Sequence, residues 1–93
     1  MIKSFRNSDT QELWETGKSR RIPATLRTAA LKKLVILHWA RELNDLAVPS
    51  GNRLEALRGD RKGQHSIRIS DRYRLCFVWR DADAFDVEVV DYH

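Results

Sequence analysis

The fold is decided by residues 64–90, whose sequence is QHSIRISDRYRLCFVWRDADAFDVEVV. Apolar and polar side chains alternate through this stretch, which is typical of strands that bury one face. The alternation predicts three strands, at residues 64–70, 73–80 and 85–90. Their connections, residues 71–72 and 81–84, are short enough for hairpins, and we therefore expect a mostly antiparallel sheet.

The two faces of this sheet follow from the alternation. The third strand places Phe85 on the same side as Val87 and Val89. The residues expected to face inward are Ile67, Ile69, Leu75, Phe77, Val87 and Val89. The residues expected to face outward are Arg68, Arg74, Asp86 and Glu88. Two interpretations of the outward arginines stay open: cross-strand pairing with these acids, at roughly a few tenths of a kcal/mol each, or a binding surface.

Two helices are predicted before the sheet. Residues 9–15 indicate a short helix that Asp9 caps, with Glu12 completing a capping box and Gly17 ending the helix. A basic connector at residues 18–22 leads to Pro23, which suits the first turn of a longer helix. Residues 2–5 could add a short first strand.

The longer helix is predicted over residues 24–44. Leu31, Val35, Trp39 and Leu43 recur every four residues and form an apolar stripe, which we interpret as core. The residues that widen the stripe are Leu26, Ala30, Leu34 and Leu37. His38 lies beside it and is interpreted as structural. The predicted fold is a single α+β domain, residues 1–93, with both helices on one face of the sheet.

Composition fits one globular domain. The chain has 93 residues, of which 42% are apolar and 32% are charged. It has no apolar run of the roughly 18–20 residues that a transmembrane helix needs. The first six residues lack the apolar core of a signal peptide, and Cys76 is the only cysteine. We therefore expect a cytoplasmic protein without disulfide, metal or other cofactor.

The charge is distributed unevenly along the chain. Residues 1–80 contain all 17 Lys and Arg residues and eight of the 13 acids, for a net charge of +9. Residues 81–93 contain five acids and no base, for a net charge of −5. Arginine predominates among the bases, and its planar guanidinium matches phosphate oxygens well. This pattern indicates a polyanionic partner, or simply a solvated basic surface.

Three consecutive residues carry a carboxylate, a phenol and an imidazole: Asp91, Tyr92 and His93. Imidazole is the side chain best suited to proton transfer near neutral pH, and a phenol can stack on a base or donate a hydrogen bond. Strand alternation should bring Tyr92 to the same face as Arg74. The alternative for His93 is an ordinary solvated position at the end of a strand.

Several segments of the chain resemble one known family. They are MIKSF at residues 1–5, LEALRGDR at 54–61, SIR at 66–68, YRLCF at 73–77 and DYH at 91–93. Together they are similar to the HigB-type toxins, including the GraT-like toxins, of the RelE superfamily of bacterial toxin–antitoxin systems. The resemblance covers essentially the whole chain.

This resemblance implies a RelE-like fold and a ribosome-dependent mRNA endoribonuclease that cuts the message in the A site of the 30S subunit. It also implies a HigA-type antitoxin with a helix-turn-helix fold, through which the toxin would reach operator DNA. The implied catalytic residues are Glu55, Arg74, Asp91, Tyr92 and His93. Arg58 should contact phosphate. The other residues expected to bind RNA or the ribosome are Lys18, Arg20, Arg21, Lys32, Lys33, Arg61, Lys62, Arg68 and Arg72.

Cleavage by the RNA's own 2′-OH needs a base, cations for the charge that builds on phosphorus, and an acid for the departing 5′-oxygen. We assign the base and acid roles to Glu55 and His93, with His93 favoured as the acid. Arg74 and Arg58 would stabilise charge, Tyr92 would stack, and Asp91 would orient a neighbour. Glu55 stands where some HigB toxins have histidine.

Two other functions stay open from the sequence. A non-catalytic RNA- or DNA-binding domain would explain the arginine content. A toxin-fold protein with weakened activity would explain the glutamate at position 55.

Overall fold

The sheet contains four antiparallel strands in chain order. In this computed structural model, which describes residues 1–48 and 50–92, the strands are β1 (Glu55–Ala56), β2 (His65–Arg68), β3 (Tyr73–Arg80) and β4 (Asp83–Asp91). The three predicted strands correspond to β2, β3 and β4. The short edge strand β1 is not among the strands that the alternation predicts. The predicted α+β class is confirmed.

The N-terminal segment lies along the other edge of β4. Ile2 and Phe5 form isolated parallel bridges with Ala84 and Val87. The backbone amide of Lys3 donates to the carbonyl of Ala84 at 2.8 Å. The predicted first strand is therefore present only as two bridges, and the sheet is mostly antiparallel as expected.

The first helix, α1, spans Ser8–Thr16. Its cap is Asn7, whose side-chain oxygen accepts a hydrogen bond from the amide of Thr10 at 2.9 Å, so the expectation of an Asp9 cap is wrong. Asp9 instead lies in the first turn, where a negative charge favours the helix dipole. Gly17 ends the helix as predicted, with a φ of 81° that suits glycine.

The second helix, α2, spans Ala24–Trp39 and ends earlier than predicted. Beyond it, Ala40 is extended, and residues Leu43–Ala47 form a 3₁₀ turn. The carboxylate of Asp45 accepts hydrogen bonds from the backbone amides of Arg41 and Glu42, both at 3.0 Å. This local capping competes with helical hydrogen bonds, which explains the earlier end.

The buried face of α2 is not the predicted stripe. Its buried residues are Leu26, Ala30, Leu34 and Leu37. Val35 is 46% exposed and Trp39 is 73% exposed, so the interpretation as core is wrong for these two residues. Leu31 and Leu43 of the same stripe are partly buried against the core, and the residues expected to widen the stripe are buried in it. Residues spaced strictly four apart move around the helix surface by about 40° at each step, so they do not stay on one face. The buried residues have an average spacing close to the 3.6 residues of one helical turn and therefore stay on one face.

The core lies between the helices and the inner face of the sheet. Leu13 and Leu34 from the helices and Leu75, Phe77 and Val87 from the strands are all fully buried there. The side chain of His38 accepts a hydrogen bond from the amide of Ile2 at 3.2 Å, which is the structural role expected of it. Within residues 1–48 and 50–92, no helix combines the length and hydrophobicity that a bilayer crossing requires.

A bulge in β4 changes which residues face outward. Cys76 pairs with Glu88, but Val78 pairs with Phe85, so Asp86 is the extra residue, with a φ of 52°. Phe85 therefore shares the outer face with Val78 rather than the core with Val87, which corrects the prediction from simple alternation. The guanidinium of Arg80 lies 4.4 Å from the centre of the Phe85 ring.

Candidate active site on the outer face of the sheet

The outer face is the side of the sheet that the helices leave uncovered, and Arg74 lies at its centre. Its side chain is only 12% exposed. The Nε atom donates to the hydroxyl of Ser66 at 2.7 Å, and Nη2 donates to the carbonyl of Arg53 at 2.5 Å and to that of Ser66 at 3.3 Å. The Nη1 amino group takes no part in these bonds. Arg74 is thus held in place by its neighbours through Nε and Nη2.

Glu55 lies beside Arg74 at the edge of the sheet. One carboxylate oxygen of Glu55 is 3.9 Å from Nη2 of Arg74. The pairing of Glu55 with Ser66 brings β1 next to β2, and Arg74 pairs with Arg68 on the other side of β2. The Glu55 side chain is 58% exposed, so its carboxylate is open to solvent next to a largely buried cation.

Arg61 reaches the same face from the 3₁₀ turn Gly59–Arg61. Its Nη1 atom donates to the side chains of Gln64 and Glu88, both at 3.1 Å. Partial burial alone would lower the pKa of Arg61, but the hydrogen bond and charge of Glu88 outweigh it and raise that pKa above its ordinary value. Glu88 also lies 3.7 Å from Nε of Arg6, so this one carboxylate joins two cations.

Tyr92 contacts the outer face through Cys76. Its hydroxyl oxygen is 3.9 Å from the sulfur of Cys76, which confirms that Tyr92 reaches the face that carries Arg74. Burial and the neighbouring thiol raise the pKa of Tyr92, and burial raises the pKa of Cys76. Both groups are therefore protonated at neutral pH. Tyr92 can stack or donate a hydrogen bond, and Cys76 is not a thiolate nucleophile.

Asp91 and Arg72 form a bidentate ion pair at the end of the sheet. The Nε and Nη2 atoms of Arg72 donate to the two oxygens of Asp91 at 2.7 and 2.8 Å. The hydrogen bond with Asp91 raises the pKa of Arg72. Asp91 of β4 pairs with Tyr73 of β3. Because neighbouring residues in a strand alternate between its two faces, Asp91 and Tyr92 are expected on opposite faces of the sheet. His93 lies outside the described residues.

The cations expected to bind RNA lie on two layers of the molecule. Arg58 and Lys62 are exposed in the loop between β1 and β2, near the outer face, and Arg68 pairs with Asp71. Those in the helical layer are Lys18, Arg20, Arg21, Lys32 and Lys33. The ammonium of Lys33 donates to the buried side chain of Asn52 at 2.5 Å. Burial and the charge of Arg68 lower the pKa of Lys33, which therefore has a structural contact of its own.

Sequence reasoning missed the residues that support this site. Ser66 is fully buried and holds Arg74, whereas the alternation showed it only as one more outward residue. Neither outward arginine pairs with Asp86 or Glu88 in the contacts above, so the cross-strand interpretation is wrong. The burial of Ser66 depends on how β1 and β3 pair with β2, and no pattern within the sequence reports it.

The fold and this cluster define a small RelE-like toxin. The model of one protein family, described as the RelE-like toxin of the type II toxin–antitoxin system HigB, matches residues 3–93. The chain therefore belongs to the family of HigB-like toxins, and membership of a type II system implies an antitoxin partner.

Individual relatives agree with this assignment. The chain is 39% identical over 87 residues to Toxin HigB-1 of Vibrio cholerae serotype O1, covering 92% of each protein. It is 32% identical to Endoribonuclease HigB of Proteus vulgaris over the full length of both. Among solved structures, a mutant of YafQ from E. coli superposes with a TM-score of 0.62 over 98% of this chain and 91% of that one, at 17% identity. This last likeness concerns the fold.

Proposed function

We propose that this protein is an endoribonuclease that cleaves mRNA on the ribosome, in the A site, and so stops translation. The observation that carries the proposal is the largely buried Arg74, held by Ser66 and by the Arg53 carbonyl next to the open carboxylate of Glu55. The name of the Proteus vulgaris relative supports the reaction class.

In the proposed reaction, the RNA's 2′-oxygen attacks the adjacent phosphorus. Glu55 takes the proton of the 2′-OH, and the bond between phosphorus and the 5′-oxygen breaks, leaving a 2′,3′-cyclic phosphate. His93, next in sequence to Tyr92, gives a proton to the departing 5′-oxygen. Arg74 and Arg58 stabilise the negative charge that builds on the phosphoryl oxygens.

Tyr92 and Asp91 have supporting roles in this proposal. The protonated phenol of Tyr92 stacks on a base or donates a hydrogen bond, since its raised pKa excludes a phenolate near pH 7. Asp91, paired with Arg72, orients the end of β4. Positively charged residues of the β1–β2 loop and of the connector at residues 18–22 bind ribosomal RNA, and the ribosome supplies the remaining alignment of the substrate.

The proposed partner is a HigA-type antitoxin with a helix-turn-helix fold, which neutralises the toxin in the cytoplasm and carries it to operator DNA. The toxin itself is proposed to bind RNA and not a membrane.

The test is cleavage of a defined message on programmed ribosomes, with the same message free in solution for comparison. Arg74→Ala should slow cleavage by about 100- to 1,000-fold, as removal of a charge-stabilising donor does in other enzymes. Arg80→Ala is the matched control, because Arg80 lies on the same strand and face but stacks on Phe85. His93→Gln should also slow cleavage.

Wild-type rates in Arg74→Ala and His93→Gln would remove the mechanism. Efficient cleavage of free RNA would contradict the ribosome dependence. Ribosome binding without any cut would favour a non-catalytic RNA-binding protein.

A further inference from the structure

The exposed side of α2 carries an apolar groove, away from the sheet. The groove has a volume of about 500 Å³ and is lined by Thr28, Leu31, Lys32, Val35 and Ile36. The opposite side of α2, which carries Leu34 and Leu37, is buried in the core, whereas Leu31 and Ile36 are partly buried against the edge of that core and Val35 is exposed.

Contiguous exposed apolar surface of this kind marks interaction sites in globular proteins. Val35 is 46% exposed in the middle of the groove, and Trp39, one turn further along α2, is 73% exposed. Large aromatic and aliphatic side chains that remain in water are the usual anchors of a protein interface. A partner that covers this face would remove them from water.

The charge around the groove indicates the chemistry of that partner. The helix α2 has three cations, Arg27, Lys32 and Lys33, and no acid. Arg27 is bonded to the carbonyls of Ser19 and Ile22, and Lys33 to Asn52. Lys32 is exposed and lines the groove itself. A matching segment therefore has apolar side chains at helical spacing, flanked by carboxylates.

RNA fits this surface less well. Phosphates could pair with Lys32, but they would leave the exposed side chain of Val35 without an apolar partner. A peptide helix with residues at i, i+3 and i+4 can fill such a groove and still present an acid at its rim.

We propose that this groove binds an acidic, amphipathic segment of the antitoxin. The partner is the one that the family implies, and the proposal does not depend on RNA cleavage. Since the groove and Arg74 lie on opposite sides of the sheet, docking on α2 uses none of the residues of the candidate active site.

The experiment measures the affinity of the purified toxin for the antitoxin encoded beside it, by isothermal titration calorimetry. Val35→Asp places a charge in the groove and should weaken binding by about tenfold or more. Gln11→Asp adds the same charge at an exposed position of α1 and should bind like the wild type. Thermal melting of both variants checks folding. Lys32→Glu should also weaken binding, most strongly at low salt.

If Val35→Asp does not fold, the proposal is tested by the affinity of Lys32→Glu and by hydrogen exchange of the wild-type complex. Binding of the antitoxin is then expected to protect the amides of residues 28–36 from exchange. Wild-type affinity in the folded groove variants, or no protection there, would overturn the proposal. It would also be overturned if Val35→Asp lost ribosome binding while keeping the antitoxin. The same holds if sedimentation showed a dimer of the toxin that Val35→Asp dissociates without weakening the antitoxin complex.

Discussion

The outer face of the sheet and the exposed face of α2 are both open to solvent, but they are built in opposite ways. On the outer face, the central arginines are held by polar partners: Arg74 by Ser66, and Arg61 by Glu88. On α2, the side chains of Val35 and Trp39 are exposed without any such network. A rigid polar face suits chemistry on a charged substrate, and an unconstrained apolar face suits docking of another protein.

The largest effect on stability should separate the two sides of α2. Leu34→Ala removes a fully buried side chain and should lower the free energy of unfolding by about 3 kcal/mol. Val35→Ala, the next residue, should change it by less than about 0.5 kcal/mol. Urea denaturation of both variants measures the difference. Equal losses would mean that Val35 belongs to the core and not to a docking face.

A smaller effect should show that the outer face acts as a network. Ser66→Ala removes the acceptor of Arg74 Nε and should cost about 1–3 kcal/mol of stability, because a partly buried guanidinium loses its partner. Cleavage should slow by roughly tenfold, since Arg74 is less well positioned. Ser8→Ala, at an exposed serine of α1, is the control. Unchanged cleavage in a folded Ser66→Ala protein would mean that the hydroxyl does not position Arg74.

Asn7 connects helix α1 to the outer face of the sheet, because it caps α1 and its amide lies 3.5 Å from the carboxylate of Glu88. Asn7→Ala should lower the free energy of unfolding by about 1 kcal/mol. Asp9→Ala should lower it by roughly half as much, since Asp9 has only the dipole interaction. Thermal melting of the pair measures the ranking, and a larger loss at Asp9 would restore Asp9 as the cap.

The smallest effect concerns pH. The folded protein raises the pKa of Cys76 above its ordinary 9.0 and that of Tyr92 above 10.0. Between the unfolded and folded pKa values, the folded state therefore holds more protons, and the free energy of unfolding falls as pH rises through that window. Denaturation at pH 7 to 10.5 should show this decline, with a smaller slope in Cys76→Ser. Stability that is constant or rising would contradict the burial of both groups.

Local patterns were sufficient for three of the four strands and for the face on which Arg74 lies. Alternation within residues 64–90 gave β2, β3 and β4 and the outward position of Arg74. It failed at Phe85, because a bulge at Asp86 shifts the alternation by one residue. A bulge depends on how two strands pair, and no periodicity within one strand reports it.

The sequence by itself determined the elements, since propensity, alternation and Gly17 act over a few neighbouring residues. Only the tertiary structure decided which side of α2 is buried and which residues surround Arg74. Glu55 and Ser66 come within reach of it through the pairing of β1, β2 and β3. Such contacts join positions far apart in the chain, and their energy exists only once the whole sheet and its core have formed.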